Sequence, residues 1–232
     1  MAQSLIRTDD TSVGTETLRP AAAQAPVARS RGWWRRPWIA PLFVVSTGYI
    51  AFTALPYLDR ETAPLMPHDG FTLYYPALIT HIAFATVALL TSILQIWPWL
   101  RRRHPAAHRW GGRVYVLTTV VAGLLGLVIV PFAPPVGRLG VGIATTLWLA
   151  FSVMGFVRIR QRRYAEHRRL MLYAFAMVMN NLWGTTILMV VQTLRVQVDP
   201  NVFLEAARWT GWVANLLAVQ WWLNRTAGRP VH

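Results

Sequence analysis

The stretch HIAFATVALLTSILQIWPWLRRRHPAAHR, residues 81–109, decides the fold of this chain. An apolar run without a charged residue ends in Trp97 and Trp99 and is followed at once by three arginines. A helix needs roughly 20 apolar residues to cross the hydrocarbon core of a bilayer. Tryptophan collects at the membrane interface and arginine in cytoplasmic loops. The stretch therefore predicts a membrane-spanning helix that ends at the cytoplasmic surface.

Apolar stretches of this kind recur along the chain. Of its 232 residues, 54% are hydrophobic and only 14% are charged, whereas soluble domains carry roughly 25% charged residues. Six stretches, numbered here as spans 1 to 6, have approximately the length of a transmembrane helix: residues 38–57, 77–99, 114–133, 139–157, 170–194 and 208–223. The sequence thus predicts an all-α, multi-pass membrane protein with six transmembrane helices.

The arginines predict the orientation of these spans. All 23 basic residues are arginine. Besides Arg7 and Arg19 in the N-terminal tail, 17 of them lie just before span 1, between spans 2 and 3 or spans 4 and 5, or after span 6. We call this side of the membrane the arginine side. Because the positive-inside rule places such loops in the cytoplasm, both termini are expected there, in a bacterial inner membrane.

The same distribution decides what the positive charge can bind. A net charge of +14 would by itself suggest nucleic acid. The charge is confined, however, to short loops beside the membrane, where arginine meets anionic lipid head groups. Lipids are therefore the expected partners and nucleic acid is not. A partner membrane protein or a second copy of the chain stays open.

Three regions are expected from composition. Residues 1–30 are rich in Ala, Thr, Ser and Gln and have no apolar core, which predicts a disordered cytoplasmic tail. They lack the apolar segment of a signal peptide. Residues 31–226 form the six-helix transmembrane domain, and residues 227–232 a short cytoplasmic C-terminal tail.

An internal repeat links the two longest arginine loops. Shifting the chain by 59 residues aligns residues 81–109 with residues 140–168 without a gap, with eight of 29 positions identical. His108 then matches His167, and spans 2–3 and 4–5 become two hairpins of equal orientation. Parallel repeats of this kind occur in membrane bundles. We therefore expect spans 2–5 to form an internally repeated four-helix core.

Histidines are the main candidates for binding chemistry. Small and polar residues line one face of spans 2, 3 and 5, and each of these faces carries one histidine: His81, His108 or His167. Pro105, well suited to the first position of a helix, would place His108 one turn inside span 3. His81 lies within span 2, where an ionisable residue is expensive and marks a functional site by default.

Two facing imidazoles suit several ligands. His108 and His167 could together ligate a b-type haem, a transition metal, a quinone head group or nothing. Gly112, beside Gly111, would let a flat macrocycle approach the backbone. Arg109 and Arg168 could pair with haem propionates. The alternative is that all three histidines are structural and bond to neighbouring helices or cap them.

Several functional classes are excluded or disfavoured. The chain has no cysteine, which excludes disulfides, thiolate metal sites and covalent haem attachment. No Asp, Glu or Lys lies inside a span, so the carboxylate relays and buried ion pairs of many pumps and transporters are missing. There is no H-E-x-x-H sequence and no plausible Ser–His–Asp set. No catalytic residue is predicted.

The central half of the chain resembles a known family. The matching residues are His81, Gln95, His108-Arg109-Trp110, Gly112-Arg113, Tyr115, Trp148, His167-Arg168-Arg169 and Met171. They are similar to those of a family of bacterial predicted membrane proteins, the domain of unknown function 2306, whose members commonly show an aromatic residue where Arg169 stands. The resemblance implies a membrane protein and brings no established activity. The layout of spans 2–5 also looks, more weakly, like the four-helix cores of membrane b-type cytochromes.

Two functions stay open on the sequence alone. The first is a redox-associated protein that binds haem b or a quinone at His108 and His167. The second is a non-catalytic membrane scaffold, subunit or small-ligand permease with structural histidines.

Overall fold

The computed structural model describes residues 38–195, 197 and 199–226. This part of the chain is helical and contains no strand: α1 Ile39–Ala54, α2 Tyr74–Gln95, α3 Pro98–Arg103, α4 Pro105–Ile129, α5 Arg138–Arg160, α6 Tyr164–Thr193 and α7 Pro200–Arg225. Short 3₁₀ turns, Leu55–Tyr57 and Val130–Phe132, follow α1 and α4. The tails predicted at residues 1–30 and 227–232 lie outside the described residues.

Several of these helices suit a membrane. Within the described residues, five segments are long and apolar enough to cross one: Ile39–Tyr57, Tyr74–Gln95, Pro105–Phe132, Arg138–Arg160 and Tyr164–Val191. They contain most of spans 1 to 5 and confirm an all-α membrane protein. Span 6 lies within α7, a helix of 26 residues that is not among these five because polar side chains such as Arg208 and Gln220 interrupt its apolar character. The prediction of six spans is therefore not confirmed.

Two prolines set the loop between α2 and α4. Span 2 was predicted to reach residue 99, but α2 ends at Gln95 and Trp97 has an extended backbone, with ψ of 109°. The cause is Pro98, since a proline disfavours the helical conformation of the residue before it. Pro105 is the first residue of α4, as predicted, and span 3 therefore begins nine residues earlier than hydropathy indicated. His108 lies one turn inside this helix.

The helices pack as two hairpins. The first consists of α2 and α4, the second of α5 and α6, and the two hairpins contact each other through α4 and α5. The most extensive contacts are those of α2 with α4 and of α5 with α6, and α7 packs on α6. A buried cluster from α2, α4 and α6 forms the core between the hairpins: Ala88, Leu89, Tyr115, Ala174 and Val178. Helix α1 is peripheral and exposes large apolar side chains such as Val44 and Phe52. Such a surface suits contact with lipid.

Candidate functional site

His81, on α2, forms a hydrogen bond with α4, the other helix of its hairpin. Its Nδ1 lies 2.8 Å from the carbonyl oxygen of Ala122 on α4. A carbonyl can only accept, so Nδ1 carries the proton and donates it. The ring fits because Gly126 has no side chain: a Cβ there would lie 3.1 Å from the His81 ring. This contact supports a structural role for His81 and leaves its other ring nitrogen, Nε2, as an acceptor.

His167 makes the corresponding contact in the second hairpin. From the first turn of α6 its Nδ1 donates to the carbonyl oxygen of Gly155 on α5, at 2.9 Å. Such a bond fixes the tautomer and leaves Nε2 with its lone pair. The pattern is the one seen in metal-ligating histidines, whose second nitrogen donates to a carbonyl. It is equally a plain interhelical hydrogen bond, worth about 0.6 kcal/mol on average in a membrane protein.

His108 differs from both. Its Nδ1 is buried and has no hydrogen-bond partner among the described residues. His167, Arg101 and Arg109 are near enough to act on the ring electrostatically. The structure thus brings the two predicted partner histidines near each other. His81 does not join them, because its acceptor Ala122 lies 14 residues further along α4, a rise of ~21 Å.

The two glycines beside His108 are already in contact with a side chain. A Cβ on Gly111 would lie 2.5 Å from Nε2 of Gln95, and one on Gly112 would lie 3.5 Å from its Oε1. The carboxamide of Gln95, at the end of α2, therefore covers the surface that the sequence suggested for a macrocycle. Its Nε2 is also buried and finds no hydrogen-bond partner in the described part of the chain. Within the described residues, His108 Nδ1 and Gln95 Nε2 are thus two buried polar atoms without a partner, both at the arginine-side end of α2 and α4.

The two arginines proposed for propionates have different surroundings. Arg168 lies over the ring of Trp222 on α7, 5.5 Å from its centroid, and thus packs against that helix. Arg109 is exposed and lies near His108. Arg169 lies over Tyr173 and reaches Gln220 of α7. The arginines therefore contribute to packing of α7 as well as to surface charge.

No metal cluster accompanies these histidines in the described part of the chain. No group of three or more His, Cys, Asp or Glu side chains there could hold an ion, so His108 and His167 would be two ligands without a third protein partner. Two cavities, of about 500 and 410 Å³, lie elsewhere, the first beside Glu205 and the second between Asn180 and Arg208. Neither is lined by His81, His108 or His167.

Sequence reasoning missed a polar cluster in the middle of the bundle. The hydroxyl of Tyr115 lies 3.0 Å from Oγ of Ser152, and Nε1 of Trp148 donates to it at 3.2 Å. The hydroxyl of Thr119 lies beside that of Tyr115. Ser152 and Thr119 are fully buried. A serine inside span 4 was the available signal, but its partner depends on the alignment of α4 against α5.

Comparison with known proteins identifies one family. The family model described as "Predicted membrane protein (DUF2306)" matches residues 78–223, well over half of the chain. No curated protein matches the chain, and no solved structure matches it. The matched segment begins three residues before His81 and runs to near the end of α7, so it contains every histidine contact described above.

Proposed function

We propose that the chain, which belongs to the DUF2306 family of predicted membrane proteins, binds the head group of a quinone at the arginine-side end of α2, α4 and α6. The observation that carries this proposal is that two buried atoms, His108 Nδ1 and Gln95 Nε2, have no hydrogen-bond partner within the part of the chain that the structure describes. Leaving a buried polar atom unpaired costs about 1–3 kcal/mol. A ligand that pairs with both atoms would remove that cost.

The hydrogen-bonding properties of these two atoms indicate which groups such a ligand must carry. Gln95 Nε2 is a donor, and an imidazole Nδ1 that carries the proton is a donor too. A ligand that pairs with both donors must therefore carry acceptor atoms, such as oxygens. His167, Arg101 and Arg109 act on His108 electrostatically, which favours a ligand whose oxygens are partly negative. Quinone carbonyls meet both conditions, and a quinone reaches the ends of membrane helices from within the lipid.

Haem fits the site less well. The free Nε2 of His167 suits an axial ligand, but a macrocycle would have to displace the Gln95 carboxamide from Gly111 and Gly112. The two cavities described above also lie away from both histidines. We therefore assign no haem chemistry to these residues.

A structural role for the histidines supports a second candidate function. His81 and His167 each bond a carbonyl oxygen of the neighbouring helix, which is what a non-catalytic scaffold, subunit or small-ligand permease would need from them. In that case water molecules form the hydrogen bonds of His108 Nδ1 and Gln95 Nε2. The two functions differ in one respect, since only the first requires a ligand at His108.

The proposed topology has six spans. Helix α7 is long enough to cross the bilayer, and its crossing would place the arginines after span 6 on the same side as the other arginine loops. Both termini would then lie in the cytoplasm of a bacterial cell, with anionic lipid head groups around the arginines. A partner membrane protein or a second copy would bind beside lipid-facing helices such as α1.

Binding of ubiquinone-1 tests the quinone proposal. The purified protein is titrated in detergent, and quenching of its tryptophan fluorescence reports binding. His108→Ala and Gln95→Leu should each weaken binding about ten-fold, the effect of losing ~1.4 kcal/mol of interaction. His108→Gln, which retains a donor, should retain part of the affinity. His68→Ala is the matched control, because this imidazole bonds Met66 in the loop before α2.

The outcomes separate the two candidates. Unchanged affinity in both His108→Ala and Gln95→Leu, or no saturable quenching in the wild-type protein, would exclude the quinone site. An equal loss in His68→Ala would show that the quenching is nonspecific. Folding of each variant is checked by its thermal unfolding in the same detergent.

A further inference from the structure

Polar groups follow one face of α4 through the bundle. The face consists of residues spaced alternately four and three apart: His108, Gly112, Tyr115, Thr119, Ala122 and Gly126. Tyr115 and Thr119 are buried. Of the five buried side-chain atoms that lack a partner in the described residues, three lie on or against this face: His108 Nδ1, Gln95 Nε2 and Thr119 Oγ1. We use the name polar file for the following side chains: His108, Gln95, Tyr115, Ser152, Thr119 and His81.

The middle of the polar file is a cluster of hydroxyls. Tyr115 and Ser152 share a hydrogen bond, and either hydroxyl can be its donor. Thr119 adds a third hydroxyl beside that of Tyr115. Its Oγ1 has no hydrogen-bond partner among residues 38–195, 197 and 199–226, although the side chain is fully buried. Water is the molecule that satisfies such isolated polar groups inside a protein.

The far end of the polar file is His81. It bonds Ala122, which lies three residues beyond Thr119 on α4, a rise of ~4.5 Å. Because Nδ1 donates to that carbonyl, Nε2 can accept a proton. Imidazole and hydroxyl groups both accept one proton while releasing another. The polar file therefore has a proton-exchanging group at each end and in the middle.

The spacing of these groups leaves short gaps. His108 and Tyr115 are seven residues apart on α4, a rise of ~10.5 Å, and the Gln95 carboxamide lies in this interval against Gly111 and Gly112. Tyr115 and Ala122 are also seven residues apart. The whole file rises ~21 Å, most of the ~30 Å hydrocarbon core. One or two waters in each interval would complete it.

We infer that the polar file is a hydrated path that carries protons through the bundle between His108 and His81. Protons move along it as each hydroxyl or water accepts one proton from its neighbour and passes another to the next group. The path needs no carboxylate inside a span. It goes beyond the proposed function, because passage of protons does not depend on a ligand at His108.

Proton flux into vesicles tests this inference. The full-length protein is reconstituted in liposomes that contain a pH-sensitive dye, and a potassium gradient with valinomycin drives protons inward. The wild type should show flux above that of protein-free liposomes. Thr119→Val and Tyr115→Phe should abolish most of this additional proton flux, because each removes a hydroxyl from the polar file. Thr119→Ser, which keeps the hydroxyl, should retain it.

Thr118→Val is the matched control. Thr118 is also buried, but its hydroxyl is satisfied within α4 by the carbonyl oxygens of Val114 and Tyr115. This variant should conduct like the wild type. Equal loss in Thr118→Val and Thr119→Val, or wild-type flux no greater than that of protein-free liposomes, would overturn the inference.

The test is independent of the quinone site. Thr119→Val leaves His108 and Gln95 unchanged and should bind ubiquinone-1 like the wild type. Loss of flux with retained binding supports the path, and flux without any quinone binding would overturn only the proposed function. Thermal unfolding of each variant shows that it is folded before reconstitution.

Discussion

His108 and His167 each stand at the fourth position of a helix, in α4 and α6 respectively. Each backbone N–H donates to the carbonyl four residues earlier, at 3.0 Å. The two side chains differ, because His167 bonds the carbonyl oxygen of Gly155 and His108 Nδ1 bonds nothing in the described residues. Matching positions in the two hairpins thus have different roles. His167 joins α5 to α6, whereas His108 makes no such contact through Nδ1 within the described residues.

Removing each imidazole should therefore affect stability differently. His167→Ala loses an interhelical hydrogen bond and should destabilise the fold by about 1 kcal/mol. His108→Ala removes an unpaired buried atom, so it should be neutral or slightly stabilising. Thermal unfolding in detergent, followed by tryptophan fluorescence, compares the two. A larger loss in His108→Ala than in His167→Ala would contradict this assignment of roles.

The helices could be predicted from sequence because each depends mainly on its own residues. Apolar length identified five candidate spans, and Pro105 identified the true start of α4. Hydropathy alone placed that start nine residues too late, since His108 and its polar neighbours lower the apolar average. The helix break after Gln95 was missed, although Pro98 is its cause.

The contacts of the site depend on how the helices are aligned, and they could not be predicted in the same way. The face that carries His81 was predicted, but its acceptor is a backbone carbonyl, which no side-chain pattern reveals. Gly111 and Gly112 were interpreted as room for a macrocycle. The space is filled by Gln95 because α2 ends level with the start of α4. The 59-residue repeat stays a prediction, supported by the equal positions of His108 and His167.

Gly126 should tolerate no side chain. A Cβ there would lie 3.1 Å from the His81 ring and 3.3 Å from Cγ2 of Thr145. Gly126→Ala should therefore displace the ring, weaken its bond to Ala122 and cost about 1–3 kcal/mol, as overpacking does. Gly48→Ala is the control, because no atom of the described residues would lie within 4 Å of its Cβ. Thermal unfolding should show a lower midpoint for Gly126→Ala alone, and equal midpoints would contradict the close packing.

Replacement of Gly137 by alanine should destabilise the fold more than the same replacement at Gly70, a glycine of similar backbone geometry. Gly137 and Gly70 have φ of 71° and 77°, so an alanine at either position is strained by about 1–2 kcal/mol. At Gly137 a Cβ would also overlap the Arg208 side chain, which donates to the carbonyl oxygens of Pro134 and Val136. At Gly70 the described structure places no atom within 4 Å of such a Cβ.

The difference between the two variants measures the contact of α7 with the loop before α5. Gly137→Ala should unfold at a lower temperature than Gly70→Ala, because it strains the backbone and dislodges the guanidinium of Arg208. Equal unfolding temperatures would show that Arg208 does not hold this loop. The comparison uses thermal unfolding in one detergent, so the environment is the same for both.

Labelling of single cysteines should decide whether α7 crosses the membrane. The native chain has no cysteine, so each introduced thiol is the only one. A membrane-impermeant maleimide applied to intact spheroplasts should modify Asp69→Cys and Gln197→Cys, which lie on the side with few arginines. It should reach Gln161→Cys, in the arginine loop between α5 and α6, only after permeabilisation. Asn224→Cys, near the end of α7, is the decisive position. If α7 crosses, it labels like Gln161→Cys, and if α7 lies on the surface, it labels like Gln197→Cys.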